Sequence, residues 1–122
     1  MTPLKLRHAI QRVIGDHIGT YSNGDVAIQN GDRISENSVT GGIEVVISPY
    51  LRGNPDRVRY FEVSLISHEP EMYLDEIGEL LINSTDEEIN VDRRGVQPMP
   101  LSRKGFQWVK LNMHATKATK QI

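Results

Sequence analysis

Four histidines and 16 carboxylates, with no cysteine, are the side chains from which an active site would have to be built. Without a thiol there is no disulfide, no thiolate metal ligand and no cysteine nucleophile. His8, His17, His68 and His114 are scattered through the chain. No H-E-x-x-H occurs, and no two of them stand at helical ligand spacing with a carboxylate partner. His68-Glu69-Pro70-Glu71 gathers an imidazole and two acids. The proline breaks the helix a zinc site would need, so the acids read as charges that complement a helix N-terminus. His17 reads as a cation near a helix C-terminus. Asp75, Glu76 and Glu79 read as a solvated helix face, and Asp86-Glu87-Glu88 as a solvated turn. There is no G-x-S-x-G, no G-x-x-x-x-G-K-[ST] and no G-x-G-x-x-G, and Gly41-Gly42 reads as a turn or hinge before a strand. The residues therefore predict no catalytic, cofactor-binding or metal-binding site, and a chain that is not an enzyme.

Basic residues flank two loops. Arg52, Arg57 and Arg59 surround one, and Arg93-Arg94 with Arg103-Lys104 surround the other. With Tyr60, Phe106 and Trp108 nearby they raise the possibility of a groove that holds nucleic acid by charge and stacking. The net charge of -2 speaks against a strongly basic nucleic-acid binder, and links between subunits are the better use for these arginines. Tyr50 and Leu51 at one loop, and Met99 and Leu101 between prolines at the other, are candidates for exposed apolar contacts. The predicted interface is thus Tyr50, Leu51, Arg52, Arg57, Arg93, Arg94, Met99 and Leu101.

The elements that must position these residues follow from periodicity. A chain of 122 residues, 38% hydrophobic and 25% charged, is the usual size and composition of one globular domain, here residues 1–122. Its start lacks the apolar run of a signal peptide and no stretch is apolar enough to span a bilayer, so a soluble, unexported chain is expected. Asn83-Ser84-Thr85 is taken as a chance sequon. Thr2-Pro3 predicts a helix start, and Leu6, Ala9, Ile10, Val13, Ile14 and Ile18 recur at helical spacing, with Gly15 inside the pattern and Gly19 as the stop. Tyr21–Gly24 reads as a turn and residues 26–29 as a short strand. Asn30-Gly31 reads as a tight hairpin from which Arg33-Ile34 pairs back weakly, and 35–42 as a loop. Residues 43–48 read as a strand that Pro49 ends or places at an edge. After a Gly-Asn-Pro loop, 57–66 is the longest strand candidate, with Phe61, Val63 and Leu65 on a buried face and Tyr60, Glu62 and Ser64 on a wetter one. A second helix starts near Glu69-Pro70, its apolar stripe Tyr73, Ile77, Leu80 and Leu81, joined by Met72 or Leu74. Residues 89–92 read as a strand, 93–105 as a loop, and 106–113 as a final strand with Val109, Leu111 and Met113 on one face; 116–122 reads as a frayed tail. The fold class predicted is α+β, a mostly antiparallel sheet with two helices packed on one face, in the order α-β-(β)-β-β-α-β-β.

The run G-T-Y-S-N-G-D-V-A-I-Q-N-G-D-R after an amphipathic helix, followed by G-G-I-E-V-V-I and a strand-helix-strand-strand ending, resembles the tail terminator, or tail completion, proteins of long-tailed bacteriophages and related tail-like particles. The likeness covers almost the whole chain and rests on element order, length and the run Y-S-N-G…A-I…G-I-E-V-V-I. It implies a structural protein of the virion tail and neck, assembled in the host cytoplasm. Such proteins form a ring, commonly a homohexamer, that caps the head-proximal end of the tail tube, stops tube polymerisation and joins the tail to the neck or connector. The partners implied are copies of the chain itself, the tail tube protein, the neck or connector protein, and the sheath if the tail is contractile; neither a membrane nor sequence-specific nucleic acid is among them, and no cofactor. Another phage neck or head-tail adaptor, or a non-viral small protein-binding module that offers a sheet edge, are the alternatives, with an enzyme built from loops behind them.

Overall fold

The computed structural model describes residues 3–31, 38–51, 59–68, 73–100 and 106–114, with backbone only at 3, 4, 49–51 and 59. Helix α1 (Pro3–Ile14) opens on proline, whose fixed φ and missing N–H suit a first turn. Leu6, Ala9, Ile10 and Ile14 are buried on its inner face. The helix stops earlier than expected. Gly15–His17 form a single 3-10 turn and Ile18 is extended. Glycine weakens a helix here by about 1 kcal/mol relative to alanine, and the chain beyond is claimed by the sheet. Gly19 N–H donates to the Ile43 carbonyl at 2.9 Å, and Ile43 N–H to the His17 carbonyl at 2.8 Å. Gly19 is therefore no left-handed cap; a Cβ on it would meet the Thr40 carbonyl at 2.6 Å. It is glycine because two backbones cross there, and Gly42 faces the His17 carbonyl for the same reason.

Strands β1 (Thr20–Tyr21), β2 (Ile28–Asn30), β3 (Val39–Thr40), β4 (Glu44–Leu51) and β5 (Arg59–Ser67) precede helix α2 (Leu74–Ile82), then come β6 (Gln97–Pro98) and β7 (Gln107–His114). Among the described residues β1 and β3 make an antiparallel ribbon, and the main sheet runs β2-β4-β5-β7-β6. Its pairs are antiparallel except β2 with β4, which are parallel. The expected hairpin at Asn30-Gly31 does not form. Neither residue has the positive φ a type I′ turn needs, and Gly31 instead runs on beside β4, its N–H donating to the Ile47 carbonyl at 2.9 Å. Arg33 and Ile34 lie outside the described residues. So do the Gly-Asn-Pro loop, the expected start of the second helix at Glu69-Pro70, Arg103-Lys104 and the tail after His114.

Pro49 does not end β4, which continues to Leu51. Val45 N–H donates to the Ala27 carbonyl at 2.9 Å, so odd residues of β4 turn their amides toward β2. Pro49 shares that direction, and the Gly31 carbonyl that its missing N–H would meet accepts from the Ser48 hydroxyl instead. The far edge of β7 is lined by one interrupted strand. Val91 bridges Met113, Asp92 N–H donates to the Asn112 carbonyl at 2.6 Å, β6 follows, and Met99 N–H donates to the Trp108 carbonyl at 3.1 Å. The expected strand at 89–92 is thus one bridge, and the expected loop after it contains β6. The alternation of these residues is too short to announce them; the free edge of β7 recruits them.

Both helices lie on one face of the sheet, as predicted. Leu6, Ile10, Val45, Ile47, Phe61, Val63, Leu65, Leu74, Ile77, Leu81, Leu111 and Met113 belong to one continuous core, and full burial of each such apolar side chain is worth about 1.5–3 kcal/mol. The stripe of α2 is rotated from the expected one. Leu74, Ile77, Gly78 and Leu81 point inward, while Tyr73 and Leu80 are 69% and 45% exposed. Gly78 causes the rotation: a Cβ there would sit 2.6 Å from Val96 Cγ2, so the helix rests on its glycine. The opposite face of the sheet is also drier than expected at one end. Glu44, Val46, Ser64 and Ile66 are buried there, and Tyr21 of the β1–β3 ribbon is bonded to Glu44.

Candidate functional site

The sequence that forms β4 places one acid among β-branched apolar residues, Ile43-Glu44-Val45-Val46-Ile47. Strand alternation sends Val45 and Ile47 to the helices and Glu44, with Val46, to the other face. There Glu44 is 0% exposed. A lone ionised carboxylate would be costly in such a place unless its oxygens were met by donors. Three elements supply them. Tyr21 O–H of β1 donates to Glu44 Oε2 at 2.6 Å. Gln29 Nε2–H of β2 donates to the same oxygen at 3.3 Å. His68, the residue after β5, sets Nε2 at 3.1 Å from Oε1. An ionised carboxylate only accepts, so it selects the Nε2–H form of the ring or the imidazolium. The ring of Phe106, at the entry to β7, packs on that imidazole with centroids 4.4 Å apart.

Electrostatics follow the geometry. The Tyr21 hydroxyl is pushed well above its ordinary range, first by burial, then by its hydrogen bond to Glu44 and that residue's charge, with Arg7 opposing. Arg7 itself is anchored, its Nη1–H donating to the Ile28 carbonyl at 2.8 Å. Tyr21 therefore stays a phenol and a donor at any physiological pH. Both Glu44 oxygens are engaged by the protein's own groups. The cluster ties β1, β2, β4 and the end of β5 together at one end of the sheet.

The sequence reading missed this cluster. Sequence adjacency groups His68 with the acids that follow it, yet its partner Glu44 lies 24 positions away. The signal available was Glu44 itself, a single charge in a run otherwise fit for the middle of a sheet. Asp86, read as part of a solvated turn, is in fact gripped by Arg12, Nε–H at 2.8 Å and Nη2–H at 3.1 Å. That pairing, and the Glu88 N–H it also accepts, hold its carboxyl below the usual value. Asp75, Glu76 and Glu79 are exposed, as expected, and so are His8 and His17. Among the described residues no group of three or more His, Asp or Glu is placed to hold a metal ion, and no helix is long and apolar enough to cross a membrane.

Of the predicted interface residues, Tyr50 and Leu51 end β4, and Arg93 and Arg94 stand exposed on the turn between Val91 and β6. Met99 is half-buried beside β7 rather than free on a loop. Arg52, Arg57 and Leu101 lie outside the described residues. Trp108, one of the aromatic residues near the basic loops, is half-buried and donates its Nε1–H to the Pro100 carbonyl at 3.0 Å. No protein-family model, no curated protein and no solved structure matches the chain.

Proposed function

We propose that this chain is a structural subunit of a long-tailed phage or tail-like particle, a tail terminator whose copies close into a ring on the head-proximal end of the tail tube, halt its polymerisation and meet the neck. The observation that carries the reading is the run Y-S-N-G…A-I…G-I-E-V-V-I and what its residues do. Tyr21 from the first half and Glu44 from the second are bonded to each other at 2.6 Å, with Gln29 between them in sequence joining the same carboxylate. The resembling segment is a folded unit whose polar residues hold strands together. Residues spent on holding strands are those a ring subunit requires, since it works by shape and needs no reacting group. Two helices on one face of a mostly antiparallel sheet also suit the architecture that the resemblance implies.

Deleting the gene in the genome that carries it tests the reading. Negative-stain microscopy of the lysate should then show tail tubes of uncontrolled length that fail to join heads, and the intact gene supplied in trans should restore both. Tubes of normal length joined to heads would overturn it.

A further inference from the structure

The two sides of helix α2 differ in a way that selects a partner. From Tyr73 to Asp92 the chain carries seven of its 16 acids and none of its 14 lysines and arginines. Tyr73 and Leu80 are seven residues, two helical turns, apart and stand exposed on one flank, with Glu76 between them and also exposed. Leu80 lies roughly 160° around the helix from Gly78, counting about 100° per residue. The Gly78 flank faces Val96, and a Cβ on Gly95 would lie 3.4 Å from Ile82 Cδ1, so the Asp92–Gly95 turn sits on that opposite side. This turn is closed by Gly95 N–H on the Asp92 carbonyl at 3.0 Å and by Asp92 Oδ1 accepting the Arg94 N–H at 3.1 Å. Arg93 and Arg94 are both exposed; the Arg94 guanidinium lies along Asp92, its Nε–H and Nη2–H donating to the carboxylate at 3.4 Å each, and Arg93 stands beside it at the tip of the turn.

Resting on the reading that the chain assembles with itself, we infer that the Arg93–Arg94 turn of one copy docks on the Tyr73–Glu76–Leu80 flank of the next. The chemistry of the two surfaces matches. Arginine stacks on a tyrosine face and pairs with a carboxylate, and Tyr and Arg are the side chains that most often anchor interfaces. Exposed Leu80 supplies the apolar area beside them. A two-fold contact through the α2 flank would set Glu76 and its acidic neighbours against their own copies, which repel. Because the two surfaces lie on opposite sides of α2, joining them is head-to-tail, the kind of contact that closes into a ring when the rotation permits.

Sedimentation velocity of the full chain tests this, with Arg93→Glu/Arg94→Glu as one variant and Leu80→Asp as the other. Wild type should form a discrete assembly at low salt that weakens as salt is raised, because the contact is part electrostatic. Each variant alone should lose association by about tenfold or more, the loss expected on removing interface anchors. Each keeps one intact surface, so an equimolar mixture should form a one-to-one complex and stop there. Wild type that stays monomeric at low salt, variants that assemble like wild type, or a mixture that makes nothing would each overturn the inference. All the altered side chains are exposed; if Leu80→Asp fails to melt cooperatively, Glu76→Arg replaces it. Tail length after gene deletion is read independently, so loss of this interface would leave the ring reading standing on its own test.

Discussion

Tyr21 shows how much one hydroxyl carries. Tyr21→Phe keeps the ring and removes the 2.6 Å donor, leaving Glu44 Oε2 with Gln29 alone at 3.3 Å. A buried charge short of one donor costs about 1–3 kcal/mol, so urea unfolding should show a loss of about that size, with the secondary structure by circular dichroism unchanged. A loss much below it would mean that the cluster is solvated in solution. Asp86 makes a pH prediction. Arg12 lowers its folded value below the ordinary 3.8. A carboxyl lowered on folding stabilises the protein above its unfolded value, and that contribution fades as the pH falls through the folded one. Asp86→Asn should therefore lower the urea midpoint at pH 7 and make a smaller difference near pH 3. Equal differences at both would show that the Arg12 pair does not act through charge.

At the scale of elements, α2 is set by a residue with no side chain. Gly78→Ala adds a methyl in contact with Val96 Cγ2. On an isolated helix the change would gain up to about 1 kcal/mol. Here overpacking costs about 1–3 kcal/mol, so the melting temperature should fall, and Val96→Ala in the same chain should recover part of the loss. A rise in melting temperature for Gly78→Ala alone would show that the helix has room to lift. The helices, β4, β5 and β7 were legible from periodicity, because each is long enough to repeat its pattern. The parallel place of β2, the β1–β3 ribbon and β6 were not. β1, β3 and β6 are two residues each, too short to repeat a pattern, and the parallel place of β2, itself read as a short strand, is set by a partner elsewhere in the chain.

For the whole molecule, the layers are unequal. Among the described residues, one face of the sheet carries two helices over a continuous apolar core, and one end of the other face meets a ribbon fastened through Glu44. Charge is divided too. Residues 73–92 hold seven acids, leaving nine acids against 14 lysines and arginines elsewhere. A net charge of -2 conceals that polarity, and such polarity favours ordered head-to-tail contact over random association. The tail-length and sedimentation outcomes above are the measurements at this scale.

The amino-acid order by itself determined the α+β class, the two helices and their common face, and the long strands with their inward residues, because burial acts on each element through its own repeat. Only the tertiary structure decided which residues meet. Glu44 and His68 are neighbours because β4 and β5 pair in one register, with Glu44 opposite Ile66. Tyr21 reaches them because two glycines let backbones cross at residues 19 and 42. Tyr73 and Leu80 face solvent because a glycine lets α2 settle on Val96. In each case the deciding contact joins residues far apart along the chain, and no local pattern records a distance that exists only after folding.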